Sequence, residues 1–180
     1  TNLIVKYLVP AHGSSEGYTG HHSLIELNGL PGVATYYPYT WPVGTSQPPY
    51  DGEMKFFLAS SADGSGTWAE YPILPRQLVS GESGGGSLAL INGRPAVGFS
   101  DPTYYDVAYT GTLWYFTCDS SDGVGEWLRT SLVDPYKPSG IEVDLLELAN
   151  GKPSIIYTRH NPQNWNAFDA AQLRYATWWE

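Results

Sequence analysis

The chain has 180 residues, with Lys+Arg 9 against Asp+Glu 18, and a formal charge of −9. Most of its surface repels a phosphate backbone, so nucleic acid is not an expected partner. A composition of Trp 7, Tyr 14, Gly 20 and Pro 14 suits many short strands joined by turns.

No apolar run approaches membrane-spanning length, so no membrane span is expected. Cys118 is the single cysteine, which rules out an internal disulfide; its place in a strand-like run marks it as a small core residue. The sequence starts at Thr1, without Met or a signal peptide, as a processed or trimmed chain would. Richness in Tyr, Trp, Gly and Asn with few Lys leads to an expected secreted or cell-surface, extracellular location.

The first segment, TNLIVKYLVP (Thr1–Pro10), reads as a lone strand. SLIELNGLPGVATYY (Ser23–Tyr37) then gives two alternating strands, a and b, around Asn28-Gly29, a pair that tolerates the positive φ of a tight hairpin. MKFFLAS (Met54–Ser60) is strand c, and GTWAEYPILP (Gly66–Pro75) is strand d. The order recurs. SLALINGRPAVGFSD (Ser87–Asp101) turns at Asn92-Gly93, LWYFTCD (Leu113–Asp119) follows as c, and GEWLRTSLVDP (Gly125–Pro135) as d. It recurs more loosely in LLELANGKPSIIYTR (Leu145–Arg159), turning at Asn150-Gly151, and LRYATWW (Leu173–Trp179). No strand d follows the third copy.

A four-stranded antiparallel unit repeated along a chain implies β-propeller blades. A β-sandwich could hold such strands but needs no repeat. The expectation is an all-β chain forming a single β-propeller unit over residues 1–180, with three blades at about 20–75, 84–135 and 143–180. Thr1–Pro10 matches GTWAEYPILP in length and in its final Pro. It is therefore expected to complete the last blade beside Leu173–Trp179, which closes an open sheet edge. Three blades are too few for a ring. Either two chains supply six, as a homodimer, or further blades lie outside this sequence.

Between strands c and d stand SADGSGTW (Ser61–Trp68) and SSDGVGEW (Ser120–Trp127). These resemble the Asp-box, or BNR repeat, of sialidase-like propellers, whose pattern is Ser-x-Asp-x-Gly-x-Thr-Trp. Ser61, Asp63, Thr67 and Trp68 match by position, as do Ser120, Asp122 and Trp127. Ser65 and Val124 replace the Gly, which stands one place later at Gly66 and Gly125; Glu126 replaces the Thr, and the third blade has no box. The bottom-up reading of these residues is structural. The Asp accepts backbone N–H groups of a tight turn, and the Trp covers the hairpin. A catalytic or metal-binding role for the Asp pair is the sharper alternative, and a short motif supports it weakly.

The b–c loops carry the candidate site. They read YPYTWPVGTSQPPYDG (Tyr37–Gly52), DPTYYDVAYTG (Asp101–Gly111) and RHNPQNWNAFDA (Arg159–Ala170). Long loops of this kind usually carry function. Tyr39, Trp41, Tyr50, Tyr104, Tyr105, Asp106, Arg159, His160, Asn164 and Trp165 are the expected ligand-binding residues. Flat rings beside amides and carboxylates suit either a sugar or a protein partner. Part of this aromatic surface is also expected to pack the loops on one another.

The resemblance implies a test for hydrolysis, since sialidase-like enzymes hold the substrate carboxylate with three arginines. Here Arg94 follows a turn, Arg129 lies in strand d, Arg174 in strand c, and Arg76 begins a d–a loop. Only Arg159 opens a b–c loop, so no arginine cluster is visible. A paired-carboxylate glycosidase would draw on Asp51, Asp101, Asp106 or Asp169, and nothing singles out a pair. His21, His22 and Asp144, aligned with His22 by the Asn-Gly pair, offer too few converging ligands for a metal site. The resulting expectation is a non-enzymatic binding or assembly module for glycan or protein, without catalytic residues, metal or cofactor. A sialidase-like or other glycoside hydrolase is the alternative.

Overall fold

A computed structural model describes residues 22–39, 51–78, 86–103, 110–132, 143–159 and 172–177. The expected latch, Thr1–Pro10, lies outside them. The described chain is all-β: eleven strands in three antiparallel sheets, and no helix long and apolar enough to cross a membrane.

The first sheet runs β1 (His22–Leu27), β2 (Leu30–Tyr39), β3 (Asp51–Ala59), β4 (Trp68–Leu78). The second runs β5 (Gly86–Ile91), β6 (Arg94–Thr103), β7 (Thr110–Cys118), β8 (Trp127–Leu132). The third has three described strands, β9 (Val143–Glu147), β10 (Pro153–Arg159) and β11 (Gln172–Thr177), with β10 in the middle. The repeat read from the sequence is thus a repeated sheet.

The first two hairpins are two-residue turns. Asn28 and Gly29 have φ of 53° and 78°, Asn92 and Gly93 of 51° and 71°, and the closing pairs are Leu27–Leu30 and Ile91–Arg94. The third hairpin departs from this expectation. Only Gly151 takes positive φ, and its N–H donates to the Leu148 carbonyl at 2.8 Å. Ala149 is an additional residue, and it converts the two-residue turn into a longer one ended by a left-handed glycine. The strands absorb no shift, since Pro153 pairs with Glu147 as Pro31 pairs with Glu26 and Pro95 with Leu90. Asp144 therefore corresponds to Ser23 and Ser87, not to His22 as alignment on Asn-Gly implies.

Strand limits also differ from the sequence reading. The c strands begin earlier, at Asp51, Thr110 and Gln172, and the b strands run on to Tyr39, Thr103 and Arg159. The b–c connections shorten accordingly to 40–50, 104–109 and 160–171. The d strands start later, at Trp68 and Trp127, because the preceding glycine N–H of the first unit is taken by a serine hydroxyl rather than a ladder carbonyl. β4 continues past Pro72 and Pro75 to Leu78, which moves Arg76 from a loop into a strand. Proline lacks the ladder N–H, and β4 accommodates it at the sheet edge with register shifts opposite Gly52–Lys55.

The sheets stack through their faces. β1, β5 and β9 stand side by side, and the Leu88 N–H donates to Ser23 Oγ at 3.0 Å across the first junction. One core lies between the first and second sheets, with Leu27, Tyr36, Met54 and Phe56 against Leu88, Val97, Phe99 and Trp127. The other lies between the second and third, with Ile91, Ala96, Leu113 and Tyr115 against Val143, Leu145, Ile155 and Tyr157. Cys118 is buried and reduced, in the first core. On the opposite face of the first sheet Lys55 meets Glu53 at 3.2 Å and Glu70 at 3.5 Å. Partial burial opposes its charge, but the two carboxylates win and hold its pKa above the usual lysine value.

Gly123 is the tightest point of the first junction. Its φ is +78°, and a Cβ there would sit 2.6 Å from a Phe56 ring carbon. Gly93 has a similar φ but open space around it. Gly123→Ala should therefore cost roughly 2–4 kcal/mol, from backbone strain plus overpacking, and Gly93→Ala only about 1 kcal/mol. Urea unfolding of the two variants reads the difference directly.

Candidate functional site

All three b–c connections leave the same edge of their sheets. They start after Tyr39, Thr103 and Arg159 and return at Asp51, Thr110 and Gln172, and these ends pair across the gap. Tyr39 and Arg159 are the last residues of the b strands of the first and third sheets, β2 and β10. Asp51 and Asp101, candidates for paired carboxylates, lie on β3 and β6. Trp41, Tyr50, Tyr104, Tyr105, Asp106, His160, Asn164, Trp165 and Asp169 lie outside the described residues.

Beneath this edge, between the first and second sheets, is a small cleft of about 10 Å³, room for about one water molecule. Ser23, Thr35, Tyr36, Met54, Ser87 and Phe99 line it. Tyr36 and Phe99 pack tilted, with ring centroids 5.0 Å apart. The described lining offers hydroxyls, rings and apolar groups, and no carboxylate or imidazole. A space of that size admits a water molecule and no larger ligand, and its described lining has no group for proton transfer at neutral pH. The sequence reading missed this cleft, because Thr35, Tyr36 and Phe99 read simply as strand residues. The signal that could have found it is the pairing of Ser23 with Ser87 at the start of successive a strands.

His22 and Asp144 are both exposed, on different sheets, and no group of three or more metal-ligating side chains occurs among the described residues. The arginines are dispersed over β4, β6, β8, β10 and β11. Arg129 lies over the Trp114 ring at 4.4 Å, a packing role within the second sheet.

The two c–d turns lie at the opposite edge, with the hairpin tips. In the first, Asp63 Oδ1 accepts from Ser61 Oγ (2.9 Å), Ser65 N (3.0 Å) and Ser65 Oγ (2.7 Å). Ser61 Oγ accepts from Gly66 N at 2.8 Å, and Trp68 Nε1 donates to the Gly64 carbonyl at 3.1 Å. In the second, Asp122 Oδ1 accepts from Ser120 Oγ and from Val124 N at 3.0 Å. Trp127 differs from Trp68: it is buried 5.5 Å from Phe56 of the neighbouring sheet, and its indole N–H meets no acceptor among the described residues. Asn28 Nδ2 donates to the Ser121 carbonyl at 3.4 Å, so the tip of one sheet touches the turn of the next.

Both carboxylates are exposed and committed to their own turns. The Ser65 hydroxyl, then the Ser65 N–H and the Ser61 hydroxyl, lower Asp63 from 3.8 to about 2. The Ser120 hydroxyl and the Val124 N–H lower Asp122 in the same direction. In the second core, burial raises the Tyr115 phenol above its usual value.

No family model matches the chain, and no curated protein does. Among solved structures, the chain is similar to Zg3597, a family 117 glycoside hydrolase produced by the marine bacterium Zobellia galactanivorans. Identity is 13%, the TM-score is 0.48, and the match covers 85% of this chain. The chain spans 41% of the length of that structure.

A carboxylate lowered on folding stabilises the fold above its unfolded pKa and loses that contribution as pH falls through the folded value. Asp63 should keep its turn intact well below pH 3.8 and release it only near about 2. An NMR titration of its carboxyl carbon checks this. Asp122→Ala should lower Tm by a few degrees and leave ligand binding per folded molecule unchanged. Loss of binding at an unchanged Tm would instead place Asp122 in contact with ligand.

Proposed function

We propose that the sheets are blades of a β-propeller of the Asp-box type, and that the chain is a non-enzymatic module that binds carbohydrate at the b–c edge. One observation carries the reading: the three sheets turn the ends of their b–c connections, whose sequences are rich in aromatics and amides, to one common edge. Trp41, Tyr50, Tyr104, Tyr105, Asn164 and Trp165 supply rings for the C–H faces of a sugar and an amide for its hydroxyls. Tyr39, Asp106, Arg159 and His160 add polar contacts. An extracellular location is part of the same proposal.

The Asp-box reading is supported by Asp63 and Asp122, which act as turn acceptors at matching places in successive sheets. The described candidate carboxylates of this edge, Asp51 and Asp101, lie on different sheets, on β3 and β6. A glycoside hydrolase needs two carboxyl groups flanking the bond to be broken.

A glycan array together with a panel of chromogenic glycosides tests the proposal. Selective glycan binding without turnover is expected. Trp41→Ala and Trp165→Ala should each weaken binding about tenfold at unchanged Tm. Turnover that is abolished by Asp106→Asn would overturn the reading in favour of a hydrolase. Binding only to proteins would overturn the carbohydrate assignment.

A further inference from the structure

The outer face of the first sheet, the one turned away from the second sheet, is buried on one side only. Thr35, Phe57 and Ala59 lie on that face by the alternation of β2 and β3, and they are 5%, 3% and 1% exposed. Neither inter-sheet core includes Phe57 or Ala59. Leu24 of β1 lies on the same face and is 66% exposed. The cover over this face therefore reaches β2 and β3 and stops short of Leu24.

The repeat shows what such a cover is made of. By strand register, Thr35, Phe57 and Ala59 correspond to Phe99, Phe116 and Cys118 of the second sheet, and Leu24 corresponds to Leu88. All four of those residues lie in the first core, and two parts of the first sheet meet them. β1 and β2 stand against β5, the strand of Leu88. β4, the edge strand, brings Ile73 and Leu74 to the same core, where they are 4% and 2% exposed. A lone d strand supplies the second part without the first. It would bury the places of Phe99 and Phe116 and leave the place of Leu88 open, which is the pattern on the outer face of the first sheet.

The sequence holds such a strand. With the final prolines of TNLIVKYLVP and GTWAEYPILP aligned, Leu8 and Val9 take the places of Ile73 and Leu74. The stretch from Pro10 to Ser23 is one residue longer than that from Pro75 to Ser87, so Thr1–Pro10 precedes the first sheet as β4 precedes the second. Charge agrees with this. The outer face of the first sheet carries Glu26, Glu53 and Glu70 against Lys55, and the segment carries Lys6 and no acid.

We infer that Thr1–Pro10 packs on the outer face of the first sheet, with Leu8 and Val9 against Thr35 and Phe57. The segment does for the first sheet what β4 does for the second. The inference rests on the blade repeat and not on any ligand. It concerns a packing face, so it holds whichever strand pairs with the segment and whatever lies beyond either end of the sequence.

Thiol labelling of the full chain tests it, read peptide by peptide by mass spectrometry. Thr35→Cys should label slowly, like the buried native Cys118, whereas Leu24→Cys labels fast. Adding Leu8→Asp and Val9→Asp together should speed the labelling of Thr35→Cys by about tenfold or more while Cys118 stays protected. Fast labelling of Thr35→Cys with the segment unaltered would overturn the inference, as would a rate that the paired substitution leaves unchanged. Labelling of Cys118 would report that the paired substitution has unfolded the chain. Nuclear Overhauser contacts in the unaltered chain then decide: contacts from the Leu8 and Val9 methyls to the Phe57 ring are expected, and their absence overturns the inference. Glycan binding enters neither readout, so the carbohydrate proposal and this one can fail separately.

Discussion

The middle sheet, β5 to β8, has no face it can turn to water. Val97, Phe99 and Phe116 fill one side, and Ala96, Leu113 and Tyr115 the other. A sheet of that kind is stable only between two others, and stacking is the arrangement that satisfies it repeatedly. Small residues set how closely the stack can form. Gly98 lets Val143 of the next sheet approach to 3.1 Å from where its Cβ would be, and Gly32 holds the Phe56 ring against the backbone of β2.

The two Ser-x-Asp turns answer the same demand from the edge. Each spends its serine and aspartate on its own backbone, which fixes where the following Trp projects. In the second sheet that Trp leaves its turn and packs on Phe56, while Gly123 gives the backbone room beside the same ring. In the first sheet the Trp folds back on the Gly64 carbonyl. The same short sequence thus serves as an inter-sheet plug in one copy and as a local clasp in the other.

Periodicity made the strands and their order legible, because period-two alternation and Asn-Gly pairs are local signals. The ends of strands were less legible. Tyr39, Asp51 and Arg159 read as loop because turn-forming residues crowd them, while the ladder that extends through them is a tertiary effect. Arg76 was misplaced for a related reason: a proline ends most strands but is tolerated at a sheet edge. Of the site, the sequence carries the aromatic connections but not the cleft beneath them. That cleft is made by Tyr36 and Phe99, whose nearness depends on how two sheets stack. The face on which each residue lies was misread once, at Asp144, where a single additional residue upset the alignment.

That residue, Ala149, has a wider meaning. The third hairpin lengthened while the pairing of Pro153 with Glu147 stayed as in its sister copies. Asn92 still reaches across to the altered tip, donating to the Gly151 carbonyl at 2.8 Å. A change of length confined to the tip leaves every inward and outward side chain where it was, whereas the same insertion within a strand would turn the sheet inside out from that point onward. Divergence among the copies is therefore channelled to the hairpin tips and the opposite connections, and these are the places where foreign peptide can be grafted without disturbing the stack.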